Sequence, residues 1–269
     1  MRRQEALAPA AAALRALLGA MRAVPVALPE GVPSPAATAA RLHAGVPALA
    51  GEALLDGGGL VESVDALARA LAHAGGAPGG SLAGVAGSLR ALVESGAVDG
   101  DALAQAALAG AWDEVVDVAA RLDVDEYALV AALDYAVRPV LRAAAVAVAP
   151  AVADARWPRG GCPACGAPPL LAELRGKEEG RTLRCGRCAT AWPFARLECA
   201  GCGERDHRRL LALHAEKEGD HRRADCCESC GTYLKSVAVL DPLGADGVIE
   251  EDLATADLDF AAVERGYHR

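Results

Sequence analysis

All nine cysteines of this 269-residue chain lie between Gly161 and Lys235, and eight of them form four C-x-x-C pairs. The pairs are Cys162/Cys165, Cys185/Cys188, Cys199/Cys202 and Cys227/Cys230. Two thiolates three positions apart can turn toward one ion, and a tetrahedral tetrathiolate site takes two such pairs, so four pairs predict two sites. The gaps from Cys165 to Cys185 and from Cys202 to Cys227 are each long enough for a hairpin. The short gap from Cys188 to Cys199 reads as a link. The spacing therefore groups Cys162, Cys165, Cys185 and Cys188 in one site, and Cys199, Cys202, Cys227 and Cys230 in the other. Gly166, Gly203 and Gly231 each follow the second cysteine of a pair, where a tight knuckle needs positive φ. Ala189 breaks that pattern and predicts a strained or differently shaped knuckle. Cys226 reads as a packed cysteine; a metal-free reactive thiol is the other role open to it. Two competing readings of the pairs are a disulfide framework and thioredoxin-like redox pairs. The latter sit at strand–helix junctions, whereas the flanks here read as hairpins.

Short strands are expected at Pro169–Leu174, Arg181–Arg184, Thr190–Leu197, Arg209–His214, Arg222–Ala224 and Thr232–Leu240. Together they form two tandem hairpin-plus-knuckle units. Each is too small for a core of its own and depends on its metal to fold. The half before them is alanine-rich and reads as helical. Helices are expected at 4–22, from Ala36 into Leu55 with a disturbance at Gly45 and Pro47, at Val61–His73 with Ser63 as cap, at Ser81–Ser95, at Asp99–Ala109 and at Trp112–Leu122. Asp56 to Gly59 reads as a break and Gly75–Gly80 as a loop. The longest helix is capped by Asp123 or Asp125, carries an apolar stripe of Leu129, Leu133, Ala136, Val137, Val140 and Leu141, and kinks near Tyr135 because of Pro139.

Chemistry in the helical half is sparse. His43 and His73 are isolated. Gly57-Gly58-Gly59 is followed by no lysine–hydroxyl pair and is no phosphate loop. The acidic groups around Asp113 and Asp125 read as helix starts. Residues 156–240 hold 15 basic and 11 acidic side chains, net +4, within a chain of net charge −9. Eight thiolates on two divalent ions would bring that region near zero, so its basic character argues only weakly for nucleic acid. The longest apolar run, Ala143–Ala153, has 11 residues, short of the roughly 20 a membrane span needs. The N-terminus reads as an amphipathic helix rather than an export signal, and thiols kept for metal fit a reducing cytoplasm.

Several motifs carry a family resemblance. They are Trp157 with Gly161-Cys162-Pro163-Ala164-Cys165-Gly166; Leu183-Arg184-Cys185 with Cys188 and Trp192; Glu198 to Gly203; and Cys227-Glu228-Ser229-Cys230-Gly231-Thr232-Tyr233-Leu234-Lys235. The tail from Glu251-Asp252-Leu253-Ala254-Thr255 through Leu258-Asp259 to Gly266-Tyr267 adds to them. From Trp157 onward the chain resembles the formate dehydrogenase accessory proteins, the FdhE family. The resemblance implies a cytoplasmic assembly factor, not an enzyme, that binds the catalytic subunit of formate dehydrogenase. It also implies rubredoxin-like sites for two ions, iron or zinc with iron favoured. The family pattern has glycine where Ala189 stands.

The expected fold class is α+β: an all-α domain over 1–156, tandem rubredoxin-like or zinc-ribbon units over 157–240, and an acidic tail over 241–269. In that tail a helix at 248–265 packs through Leu253, Leu258, Phe260 and Val263. Contact points for a client are the hairpin tips Gly176–Gly180 and Glu216–Asp220, or a groove rimmed by Trp157 and Trp192 unless these two are core. The alternative function is a zinc-ribbon nucleic-acid binder using Arg205, His207, Arg208, Arg209, Arg222 and Arg223, which would show a steep salt dependence.

Overall fold

The structure, a computed structural model, describes residues 2–73, 79–176, 180–214 and 221–269. The chain divides into two compact units. One is Met1–Thr38 with Leu49–Pro150; the other is Ala39–Ala48 with Ala151–Arg269.

The first unit is helical: α1 (Arg2–Ala23), α3 (Gly57–His73), α4 (Gly79–Glu94), α5 (Gly100–Ala109), α6 (Asp113–Leu122) and most of α7 (Glu126–Asp154), with α2 (Pro35–His43) running out of it. Helix α3 is central and buries Leu60, Val61, Val64, Leu67, Ala68 and Leu71. It starts four residues earlier than the glycine run suggests. Asp56 caps it by accepting from the Gly59 N–H at 2.7 Å, while Ser63, the expected cap, lies inside the helix and donates to the Gly59 carbonyl. A close approach explains the glycine at the helix start. A Cβ on Gly57 would lie 2.6 Å from the Gly100 backbone, and the Gly57 N–H donates to Asp101 Oδ1. Helix α2 stops at His43, and only turns follow over 46–55.

All six residues of the stripe expected on α7 are buried, and the helix continues through Pro139 and Pro150. Asp125, not Asp123, caps it by accepting from the Ala128 N–H; Asp123 closes α6 in a left-handed conformation. By length and composition alone α7 could cross a membrane, a test that buried core helices also pass. Of the expected loop Gly75–Gly80, residues 75–78 lie outside the described residues, and Gly79 and Gly80 open α4.

The second unit holds one six-stranded sheet of order β3-β2-β1-β6-β5-β4. Its strands are β1 (Leu171–Arg175), β2 (Gly180–Arg184), β3 (Ala191–Pro193), β4 (Leu210–His214), β5 (Arg222–Cys227) and β6 (Tyr233–Val239). The two hairpin units therefore do not stand alone. Strand β1 of the first pairs in parallel with β6 of the second, from Ala172 opposite Ser236 to Arg175 opposite Val239. Strand β3 is shorter than expected, although the Phe194 N–H still donates to the Arg181 carbonyl just beyond it. Residues 177–179 and 216–220 lie outside the described residues, so most of both expected tip contact points falls there. The segment 39–48 joins this unit through the Ala48 N–H, which donates to the Pro163 carbonyl at 2.8 Å.

The tail is two helices, α8 (Ala245–Ala254) and α9 (Ala256–Val263), rather than one. The break falls at buried Thr255, whose hydroxyl donates to the Glu251 carbonyl at 2.8 Å. Leu258 and Ala262 pack on Ala224, Cys226 and Tyr233 of the sheet. Phe260 and Val263, expected to pack, are 64% and 60% exposed, because on a helix they project away from the face carrying Leu258 and Ala262.

A buried ion cluster fastens α8 and α9 to the sheet. Lys235, with no solvent exposure, places its ammonium 2.8 Å from Asp252 Oδ1 and 2.7 Å from Asp259 Oδ2, and donates to the Asp252 carbonyl. Tyr233 donates its hydroxyl to Asp259, and Arg269 reaches both carboxylates. At the other end of the tail, fully buried Glu173 accepts from Arg175, Arg184 and the Leu243 N–H. Removing one member of a buried pair leaves an uncompensated charge. Lys235→Met should therefore cost about 3 kcal/mol in urea unfolding. Burial raises the pKa of Asp252, but Arg269 and Lys235 outweigh it and hold the carboxyl below its usual range. A depressed carboxylate adds stability above its unfolded pKa of about 3.9 and loses it as the pH falls through the folded value. Acid titration from about pH 4 downward should thus loosen α8 and α9 in hydrogen exchange, and Asp252→Asn should weaken that dependence.

Candidate metal centres

The fold gathers the cysteines into the two sets expected from spacing: Cys162, Cys165, Cys185 and Cys188, and Cys199, Cys202, Cys227 and Cys230. In each set the four Sγ atoms lie within 4.8 Å of one another. The separations include 3.5 Å for Cys162–Cys188, 3.6 Å for Cys165–Cys185, and 3.7 Å for both Cys199–Cys230 and Cys202–Cys227. A tetrahedral ion with metal–sulfur bonds of about 2.3 Å has S···S edges of about 3.8 Å. A disulfide would need about 2.05 Å, and all nine cysteines are free. The sulfur geometry fits one tetrahedral ion per set and excludes the disulfide framework.

Backbone geometry explains why these pairs converge. In every knuckle the first cysteine's N–H donates to the carbonyl five residues on, at 2.9 Å: Cys162 to Ala167, Cys185 to Thr190, Cys199 to Glu204 and Cys227 to Thr232. The residue after the second cysteine is left-handed each time, with φ of 84° at Gly166, 65° at Ala189, 78° at Gly203 and 72° at Gly231. Ala189 therefore makes the same turn as the glycines rather than a different one. Its Cβ carries a penalty of about 1–2 kcal/mol in that conformation.

Two threonines complete the sulfur environment. Thr190 Oγ1 lies 3.1 Å from Cys188 Sγ, and Thr232 Oγ1 lies 3.0 Å from Cys230 Sγ. Neither threonine follows from the C-x-x-C spacing. The signal was present as the same offset in each set, Cys188-Ala189-Thr190 and Cys230-Gly231-Thr232. Backbone amides also point at sulfur, Gly201 N–H to Cys199 at 3.3 Å and Cys188 N–H to Cys185 at 3.5 Å. Such bonds orient metal ligands and tune the charge on the sulfur.

The thiols compete for protons. Burial pushes Cys162 far up, while hydrogen bonding with Cys162 raises Cys165 and lowers Cys185. At Cys230 burial works upward, but hydrogen bonds from Thr232 and the neighbouring thiols prevail and bring it down to about 7. A cation that takes all four sulfurs of a set as thiolates would relieve this competition. The first set is wholly buried, whereas Cys202 of the second is exposed. Cys226 belongs to neither set; its thiol is buried under α9 and donates to the Ala224 carbonyl. Trp157 and Trp192 are core. Their indole N–H groups donate to the Gly161 and Arg159 carbonyls, tying down the entry to the first knuckle. Of the basic residues beside the knuckles, Arg205 pairs with Glu198, Arg222 with Glu251 and Arg223 with Asp225, while Arg209 lies 4.0 Å from Glu204. These contacts engage four of the six basic residues offered for a phosphate backbone, while Arg208 stays exposed without an ion pair among the described residues.

Residues 197–269 match the family model "FdhE, C-terminal domain". An FdhE homolog of Stutzerimonas stutzeri is 38% identical over 112 residues, 40% of this chain and 35% of the relative. One of Pseudomonas aeruginosa is 39% identical over 114 residues, 40% of this chain and 37% of the relative. The crystal structure of the FdhE protein from Pseudomonas aeruginosa superposes with a TM-score of 0.67 and 29% identity, covering 96% of this chain and 85% of that one. This chain is similar to FdhE proteins, in sequence over its C-terminal part and in fold over most of its length. Its sequence matches span about a third of the length of the curated FdhE relatives. All of the second sulfur set and the α8–α9 tail fall inside the family-model match.

Two outcomes follow from the knuckles. Ala189→Gly should raise stability by about 1 kcal/mol, read as a higher denaturation midpoint of the metal-loaded protein. A chelator should strip the exposed second site before the first, and Thr232→Val should weaken metal retention there by about tenfold, followed by competition with a chromogenic chelator.

Proposed function

We propose that this protein is a cytoplasmic accessory factor for formate dehydrogenase that binds the enzyme's catalytic subunit and performs no turnover of its own. Its eight paired cysteines would hold two structural ions, one per set, with iron favoured by the family resemblance and zinc the other candidate. The observation that carries this reading is the closure of both sulfur sets. Four thiolates complete a tetrahedron and leave no position for water or substrate. Such an ion cross-links knuckles that lie 20 or more residues apart and fixes the hairpins between them. The chain's residues then supply a shaped surface rather than a reaction centre. The motifs shared with the family run through both knuckle sets and the tail, and the tail is locked to the sheet by Lys235, Asp252 and Asp259. Similarity to FdhE proteins makes formate dehydrogenase the client to test.

Metal analysis of anaerobically purified protein should find two ions per chain, coloured if iron and colourless if zinc. Cys162→Ser and Cys199→Ser should each lose one; loss of both from either change would reveal a shared site. The purified protein should capture the catalytic subunit of formate dehydrogenase, and a deletion strain should lose formate dehydrogenase activity. No capture together with unchanged activity would overturn the reading.

A further inference from the structure

The six-stranded sheet has two edges of different kinds. Strand β3 is three residues long and ends in Pro193, which blunts it. Strand β4, Leu210-Leu211-Ala212-Leu213-His214, has five residues, no proline and no carboxylate or ammonium. Its register shows which backbone groups are free. The Glu228 N–H donates to the Arg209 carbonyl at 2.9 Å while Leu210 stands opposite Cys227. This makes Leu210–Cys227 a non-hydrogen-bonded pair. Leu211 and Leu213 then turn their N–H and C=O groups toward β5, and Leu210 and Ala212 turn theirs outward. No described residue bonds those outward groups.

The two faces beside this edge differ. Leu211 and Leu213 lie opposite Cys226 and Ala224, on the face packed by Leu258 and Ala262 of α9, and Leu211 is 42% exposed. Ala212 and His214 lie opposite Asp225 and Arg223, on the polar face. Exposed Arg208 stands at the start of the strand and has no ion pair among the described residues. An added strand must therefore alternate, apolar where it flanks Leu211 and Leu213 and polar on the other face, with a carboxylate able to meet Arg208.

We infer that β4 is the docking edge for an extended segment of the client polypeptide, one of alternating apolar and acidic residues that joins the sheet as a seventh strand. This rests on the proposed function, because it takes the client to be the catalytic subunit of formate dehydrogenase. Ala212→Pro tests it directly. The change removes one outward N–H and sets a ring against the incoming strand, yet leaves the bonds between β4 and β5 intact. Leu211→Asp is a second variant that keeps the backbone and sets a charge against the apolar side chains of the incoming strand.

Wild type and both variants, loaded with metal, would be titrated with purified catalytic subunit by interferometry, with metal content and melting followed in parallel. The inference expects wild type to bind and whichever variant keeps its metal and melting point to bind at least tenfold more weakly. It also expects the Leu210 and Ala212 amides to gain hydrogen-exchange protection in the complex. Undiminished binding by a folded variant overturns the docking edge while leaving the proposed function standing. No binding by wild type overturns both. A wild-type dimer that Ala212→Pro converts to monomer, with client binding unchanged, assigns the edge to a second copy and also overturns the inference.

Discussion

Four sulfurs within 4.8 Å of one another impose the constraint on which the second unit depends. Bare thiolates at that distance repel, and buried thiols at that distance compete for the same hydrogen bonds. A single cation resolves both conflicts, provided each pair is delivered by a turn of fixed shape. The chain builds that turn four times, with the same 2.9 Å bond from the first cysteine and the same left-handed residue after the second. That an alanine is held at φ 65° in one of them shows the hierarchy of forces: metal-site geometry outweighs a local backbone preference of about 1–2 kcal/mol.

What could be read beforehand follows from which interactions are local. The cysteine grouping was legible because C-x-x-C spacing and gap length are properties of short segments. The stripe on α7 was legible because helical periodicity records burial. The start of α3 was not, since Gly57 answers to Gly100 more than forty residues away. Nor was the single sheet, because a parallel pair between Ala172–Arg175 and Ser236–Val239 leaves no turn signal between the partners. Phe260 misled for a simpler reason. Hydrophobicity suggested burial, but its place on α9 sets it opposite Leu258 and Ala262. The threonines at Cys188 and Cys230 were visible as a repeated offset and needed the folded knuckle to acquire meaning.

The motif residues outside the cysteines also find their explanation in the fold. Tyr233, Lys235, Asp252, Thr255 and Asp259 look unrelated in sequence, yet they form one buried polar assembly that breaks the tail into two helices and holds them against β5 and β6. A fully enclosed ammonium between two carboxylates tolerates few alternative packings, so its contribution is to specify where the tail goes as much as to hold it there. The same arrangement keeps α9 over Cys226, which makes that thiol part of the packing rather than of the metal chemistry.

The parallel pairing of β1 with β6 also has a consequence for the order of events as the chain is made. Ala172 waits for Ser236, 64 positions later, which at about 5–20 residues per second is roughly 3–13 seconds of synthesis. Through that interval β1 has its hairpin partner on one side and an unpaired row of backbone donors and acceptors on the other. Once its four cysteines have emerged, the first metal site can close with local partners alone. The sheet cannot. The nascent protein therefore passes through a stage with one complete ribbon and an open sticky edge, until the second ribbon arrives to cover it.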